Sequence, residues 1–190
     1  MHVIWTGARV RLRPFSKVEE GLELVKQIHG ELIPHWGPRW ERPLEQARAY
    51  EDAGWCGVDN CTFAIDRLDI GQLVGYEFVR LPAVGSLGAW IATYIQAGHQ
   101  RQGFGIEAKQ LAMCFVFENF PAERIGAVTP STHLHARRGL ERCGMHYEGR
   151  RVRSWFSNAR WVDRTYYVIF REEWERLPVR QLVKRGAQPE

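Results

Sequence analysis

Positions 100 to 105 read Gln-Arg-Gln-Gly-Phe-Gly, between an extended apolar run (Ser86 to Ile95) and an amphipathic run that begins near Phe104. Strand, glycine loop and helix in immediate succession constrain the fold more than any other stretch of this chain. The first amides of such a helix have no acceptor within it and lie at the positive end of its dipole, so they form a ready site for a pyrophosphate. Gly103 and Gly105 remove side chains where a phosphate oxygen would approach the backbone. The six residues alone also read as a glycine turn with no ligand, and the wider chain has to decide.

Around this junction the periodicity is readable. Val10 to Arg13 alternates apolar and basic residues as a first strand, and Ser16-Lys17-Val18-Glu19 is a capping box with Glu19 reaching back. The helix it opens carries Val18, Leu22 and Val25 on one face and stops at Gly30; an aromatic loop, His35 to Trp40, separates it from a second helix over Pro43 to Gly54. Thr62 to Asp66 and Gln72 to Arg80 form a hairpin around Leu68-Asp69. Ala108, Leu111, Ala112 and Phe115 make the apolar stripe of a helix from Phe104 to Phe120, which Pro121 ends. A buried strand at Ile125 to Thr129 and a helix from Leu134 to Arg142 with Gly144 beyond its C-terminus follow, then two long strands, His146 to Phe156 and Arg160 to Phe170. Residues 178–190 read as a polar, fraying tail. The order βααβββαβαββ predicts one mixed-sheet α/β domain over residues 1–190.

Composition narrows the classes. In 190 residues, 45% are hydrophobic and 25% charged, ordinary values for one globular domain with a sizeable core. A formal net charge of +4 favours anionic ligands but does not by itself argue for nucleic acid. No stretch nears the roughly 18 uninterrupted apolar residues of a membrane span, and the start lacks a signal-type segment. Cys56 and Cys61 have no second Cys or His pair to complete a zinc site, so no metal is expected. Reduced thiols in a cytoplasm are the expectation.

Three motifs in order carry a resemblance. The first is His99-Gln100-Arg101-Gln102-Gly103 with Glu107-Ala108. The second is Gly139-Leu140-Glu141-Arg142-Cys143-Gly144-Met145 with Tyr147-Glu148-Gly149-Arg150. The third is Asn158-Ala159-Arg160-Trp161-Val162-Asp163 with Glu172-Glu173-Trp174. From about Val10 to Trp174 the chain resembles the GNAT superfamily of N-acetyltransferases, especially its RimJ/RimL branch. That resemblance implies an α/β fold with a mixed sheet of about six to seven strands flanked by helices. It implies acetyl-CoA as acyl donor, a primary amine (a protein N-terminus or a small amine) as acceptor, and the dimers frequent in the family; with no cysteine positioned as an obvious relay nucleophile, direct attack in a ternary complex is expected.

It also implies roles. The pyrophosphate would rest on Gln100, Arg101, Gln102, Gly103, Phe104, Gly105 and Ile106, and the pantetheine would pair with the backbone of Thr93, Tyr94 and Ile95. An amide near Tyr94 would polarise the thioester carbonyl; the side chains of Tyr94 and Ile95 read equally as core. Glu77, on a strand among apolar neighbours, is a candidate base with a raised pKa, or else an outward salt-bridging residue; His35 is a second candidate. The family's acid position, a Tyr in the fourth helix, is Leu140 here, and the branch's Ser is Ala136. His133, where the branch has a pantetheine-contacting Asn, or Tyr147 would substitute. Trp36, Trp40, Trp155 and Trp161, with His35, border the acceptor cleft by this resemblance, or simply pack. Arg150-Arg151-Val152-Arg153 reads as a solvated strand face or as an RNA contact. Two rivals to the enzyme therefore stand: a catalytically weak acyl-CoA sensor and a basic RNA-associated module.

Overall fold

A computed structural model describes residues 5–16, 19–21, 23–24, 59–83, 88–157, 159–179 and 184–185. The expected second helix and the aromatic loop with His35, Trp36 and Trp40 lie outside the described residues, as does most of the expected first helix. Along the chain the strands are β1 (Trp5–Thr6), β2 (Val10–Arg13), β3 (Asn60–Arg67), β4 (Gln72–Arg80), β5 (Gly88–Ile95), β6 (Arg124–Pro130), β7 (His146–Ser157), β8 (Arg160–Phe170) and β9 (Lys184–Arg185). The helices are α1 (Phe104–Asn119), α2 (Leu134–Arg142) and the short α3 (Arg171–Glu175). All the strands join in one mixed sheet of order β7-β8-β6-β5-β4-β3-β2-β1-β9. Seven have four residues or more, the expected number; the other two, β1 and β9, are two-residue strands that extend one edge. The pairing of β9 with β1 ties Lys184–Arg185, part of the segment read as a fraying tail, to the sheet.

Strand alternation sorts the sheet into two faces. On one, Phe63, Ile65, Val74, Val79, Ile91, Ile125, Tyr167 and Ile169 form the main core with the buried stripe of α1. On the other, Phe15, Leu24, Ala64 and Tyr94 form a smaller core against Leu73 and Tyr76. Asp66, buried on β3, accepts from the guanidinium groups of Arg11 (2.8 Å) and Arg13 (2.7 Å), and Arg13 also binds Glu20 in the helical residues that follow β2. Glu20 also accepts from the Ser16 amide and hydroxyl, both at 3.1 Å, so the reach back to Ser16 comes one residue later than the sequence pattern places it. Arg13 holds the Glu20 carboxyl below its usual range. Gly144, at φ +102°, is the left-handed residue expected after α2.

One irregularity shapes the rest. β5 runs parallel to β6 only over Gly88↔Arg124, Ala89↔Ile125 and Trp90↔Gly126. Beyond those pairs β5 stays with β4 as far as Ile95, while β6 stays with β8 as far as Pro130. The sheet therefore opens into a split whose walls are Ile91–Ile95 and Ala127–Pro130. At its apex the Trp90 ring lies over Gly126, where an added Cβ would sit 3.0 Å from ring carbons. Trp90 also meets Tyr166 edge-on, with ring centroids 6.2 Å apart.

β5 is held to its other neighbour by a contact that tolerates no side chain. A Cβ on Gly75 would fall 2.0 Å from the Tyr94 carbonyl oxygen, a backbone atom that cannot swing aside. Gly75→Ala is therefore expected to push β5 from β4 and to cost about 3 kcal/mol, the upper range for overpacking. Urea denaturation checks it; a loss under 0.5 kcal/mol, on the order of a neutral surface change, would contradict the contact.

Candidate active site

The glycine loop leaves the split at the end of β5. A 3-10 turn, Ala97–His99, leads to Gln100, and Arg101 (φ +58°) and Gly103 (φ +90°) adopt left-handed backbone before α1 begins at Phe104. Such turns aim successive N–H groups into one concavity, the arrangement that receives anions. Among the described residues the N–H groups of Arg101 to Gly105 have no hydrogen-bond acceptor, whereas those of Ile106 and Glu107 donate to the Gly103 carbonyl at 3.1 and 3.2 Å. Of the residues expected to hold a pyrophosphate, Ile106 offers no free amide; its side chain packs on the main core. The Gln100 side chain is committed to the Ile95 carbonyl (2.8 Å), and that of Gln102 to Gly98 (3.3 Å).

Two cations arrive that sequence reasoning missed. Arg9 stacks on the Phe104 ring with its guanidinium carbon 4.4 Å from the centroid, and donates to the Gln102 carbonyl at 2.7 Å. Arg67 flanks the same ring at 4.9 Å, but its guanidinium is paired with the Asp69 carboxylate through two hydrogen bonds of 2.7 Å. Glu107, in the first turn of α1, brings Arg9 there by accepting from its amide at 2.8 Å. The loop thus carries, among the described residues, free amides and a helix dipole beside the fixed guanidinium of Arg9. All favour a multiply charged anion such as a diphosphate.

The backbone facing the split is set by strand parity. The Gln96 amide donates to the Val74 carbonyl at 2.9 Å, and the Tyr94 carbonyl points at Gly75 on β4. In an antiparallel ladder alternate residues turn both polar groups to one neighbour, so Tyr94 serves β4 while Thr93 and Ile95 face the split. The amides that face the split are therefore those of the residues flanking Tyr94, within the expectation of one near it. The Tyr94 side chain belongs to the smaller core, as its alternative reading had it, with its ring 5.8 Å from that of Tyr76.

Glu77 does not point outward. It is fully buried, lies opposite Thr93 on β5 and Phe63 on β3, and accepts from the Thr93 hydroxyl at 2.5 Å through Oε2. Its Oε1 is buried without a hydrogen-bond partner. Burial pushes its carboxyl up to about 7, against the opposing pull of Lys109 and of the Thr93 hydrogen bond. The site therefore holds a carboxyl balanced between its two forms near neutral pH, joined by one hydroxyl to the wall of the split.

The remaining candidates are spread out. His133 is half-buried at the start of α2, where its amide donates to the Pro130 carbonyl at the end of the split's β6 wall. Leu140 is core, and Ala136 is half-buried. Tyr147 is 50% exposed, and its ring packs edge-on against Tyr167. The Tyr167 hydroxyl is engaged by α2, accepting from Arg137 at 3.1 Å and donating to Glu141 at 3.2 Å. Trp155 is half-buried under Arg164, whereas Trp161 is 61% exposed on the β7–β8 ribbon. Cys61, Cys114 and Cys143 are buried; burial raises the Cys143 thiol to about 11, so at neutral pH it is no nucleophile. The described residues contain no group of three or more His, Cys, Asp or Glu able to hold a metal ion, and no helix among them is long and apolar enough to cross a membrane.

The raised Glu77 value has a stability consequence. Because it lies above the ordinary 4.5, the folded protein keeps a proton that the unfolded chain gives up between those values. Stability from this group is complete below pH 4.5 and is lost as pH rises through about 7, by about 3 kcal/mol. Glu77→Gln, which keeps the shape without the charge, is expected to match the parent at pH 4.5 and to exceed it at pH 8. Denaturant titrations at the two pH values check this; parallel curves would place the Glu77 carboxyl in a solvated setting.

Comparison with known proteins agrees with this fold. The family model described as "Acetyltransferase (GNAT) domain" matches residues 9–146. No curated protein matches the chain in sequence. Among solved structures, a chimera of Vibrio cholerae spermidine N-acetyltransferase SpeG and hSSAT superposes with a TM-score of 0.78 at 19% identity, covering 90% of this chain and 100% of that one. Vibrio cholerae spermidine N-acetyltransferase in complex with CoA and spermine gives 0.76 at 18% identity, covering 87% and 98%. Mycobacterium smegmatis RimJ in complex with CoA-disulfide gives 0.74 at 16% identity, covering 97% and 95%. At such identities these likenesses speak for the fold alone, while the family match spans most of the chain. The chain therefore belongs to the acetyltransferase (GNAT) family and is an N-acetyltransferase.

Proposed function

We propose that this enzyme transfers an acetyl group from acetyl-CoA to a primary amine by direct attack within a ternary complex, in the manner of the RimJ/RimL branch. The observation that carries the reading is the meeting of an anion-receptive loop with a split sheet. The free amides of Arg101 to Gly105, with Arg9 alongside, suit the diphosphate of the donor. The N–H and C=O groups of Thr93, and the N–H of Ile95, suit the amides of a pantetheine arm laid along β5. The relatives solved with CoA or CoA-disulfide support the same donor.

Residue roles follow from placement. The Thr93 or Ile95 amide, rather than that of Tyr94, is the donor for oxygen charge developing at the thioester carbonyl. Glu77 takes the proton of the attacking ammonium through the Thr93 hydroxyl or a water, a task that suits a carboxyl value near 7. The amine nitrogen forms the new C–N bond, the C–S bond breaks, and the thiolate leaves at the end of the split where α2 begins at His133, the candidate to protonate it. A thiol value near 8.5 makes that a fair leaving group even without an acid. The buried, protonated Cys143 agrees with a route that uses no acyl-cysteine intermediate. A catalytically weak sensor is the second reading, favoured by Leu140 and Ala136 where the family resemblance calls for an acid.

Thiol release in the presence of an amine panel tests the assignment. Turnover with at least one primary amine is expected; acetyl-CoA binding without turnover on any of them would leave the sensor. Gly103→Trp is expected to weaken CoA binding at least tenfold by filling the loop, at about 1–2 kcal/mol of backbone strain, because the position is left-handed. Titration calorimetry on the folded variant reads it, and unchanged affinity would remove the loop from the donor site. Glu77→Gln is expected to lower kcat at least tenfold and to abolish the limb of the pH–rate profile near pH 7; an intact limb would assign the proton transfer to another group.

A further inference from the structure

Beyond the β6 wall of the split, on the face of the smaller core, two arginines stand opposite each other, and among the described residues no carboxylate pairs with either. Arg151 on β7 is the register partner of Arg164 on β8, so the two side chains share a face. Like charges placed directly opposite each other on a sheet destabilise it. Among the described residues neither arginine has a carboxylate partner or donates a side-chain hydrogen bond. The neighbouring Asp163 is occupied by the Arg153 amide (2.8 Å) and by Arg150 (3.6 Å), and Glu148 by Arg124 (2.6 Å).

Arg164 is half-buried and lies flat on Trp155, its guanidinium carbon 4.3 Å from the ring centroid. Both Arg164 Nε and Trp155 Nε1 are buried donors without an acceptor. A folded chain rarely leaves two buried N–H groups unpaired beside a like-charged neighbour, here the exposed Arg151, unless something else completes the site.

Register places this cluster at the reaction centre. Trp90 is level with Gly126 at the apex of the split. Counting four residues further along each wall gives Tyr94 and Pro130, and Pro130 is paired with Arg164. Arg164 is thus one strand spacing, about 5 Å, behind the β6 wall, at the height of Thr93 and Tyr94 by residue count, with the split between them. Its guanidinium rests on Trp155 of β7; swung off that ring, the side chain is long enough to reach over the intervening β6 wall.

We propose that Arg164, Arg151 and Trp155 form the subsite that selects the acceptor: an amine whose molecule also carries an anionic group, carboxylate or phosphate, a short chain away from the nitrogen. This rests on the reading of the split as the acetyl-transfer site. A bidentate anion would neutralise both guanidinium groups, and repositioned Trp155 and Arg164 N–H groups would gain an acceptor. Polycationic acceptors would be repelled there, which separates this enzyme from the spermidine acetyltransferases it resembles in fold. A half-buried arginine stacked on a ring suits a compact anion better than an RNA backbone, which calls for an extended exposed basic surface.

Matched acceptors test the subsite: an amino acid against its decarboxylated amine, an amino sugar phosphate against the free amino sugar, and spermidine. Thiol release is expected to favour the anionic member of a pair at least tenfold in kcat/KM, and the pair that shows it distinguishes carboxylate from phosphate. Arg164→Gln is expected to remove that preference through KM rather than kcat, and Arg164→Lys to restore part of it, with circular dichroism showing that both variants are folded. Equal or better turnover of spermidine or the uncharged partners would overturn the subsite while upholding acetyl transfer. So would a preference that survives Arg164→Gln. If no amine is turned over, acetyl transfer fails, and calorimetric titration of the anionic amines onto the protein with CoA decides the subsite. Binding at least tenfold weaker in Arg164→Gln upholds it, and no binding overturns it. Displacement of a bound anionic amine by an equal concentration of short single-stranded RNA would also overturn it, in favour of a nucleic-acid surface.

Discussion

The chemistry of this protein depends on strands β5 and β6 ceasing to pair after three residues. Backbone donors and acceptors in the middle of a sheet are ordinarily consumed by their neighbours, and leaving them open is costly unless another chain or ligand takes their place. Here the opening is enforced from both sides. β5 is drawn to β4 by the close approach at Gly75, β6 is held to β8 along its length, and the Trp90 ring over Gly126 fills the apex. A stretch of sheet edge is thereby exposed inside the molecule, next to a helix start with free amides.

Much of this was readable from the residues alone, and what was missed has a pattern. The strand–loop–helix unit from Gly88 to Asn119 was legible because each part carries a local signal: β-prone alternation, glycines at the turn, and an apolar stripe at helical spacing ending near a proline. The hairpin strands and α2 with Gly144 were legible for the same reason. Motif order along the chain then pointed to the family. Which amide faces the split was not legible, because one residue of phase separates Thr93 from Tyr94. That phase is set across strands by the bond from Gln96 to Val74.

The charged groups of the site were the least legible part. Arg9 sits in a short turn with no local feature to distinguish it, and reaches the loop only because Glu107, nearly a hundred positions away, captures its amide. Glu77 was identified as a candidate by its apolar neighbours, but its burial depends on α1 lying over the sheet, and its Thr93 partner on the β4–β5 register. Arg151 appeared as one of a run of basic residues, whereas its pairing with Arg164 depends on a bulge in β7 that no pattern in the run announces. Tertiary placement, rather than residue type, makes each of these groups what it is.

The β7–β8 ribbon also forms one margin of the sheet, with β7 bordered by a single strand. Substitutions on a border strand disturb fewer packed neighbours than substitutions in the middle. The part of the molecule that would meet the acceptor is therefore free to diverge, while the loop and α1, locked beneath the central strands, stay under tight structural restraint. Within a lineage built on this plan, new amines could be adopted by redecorating the margin, with the grip on the acyl donor left intact.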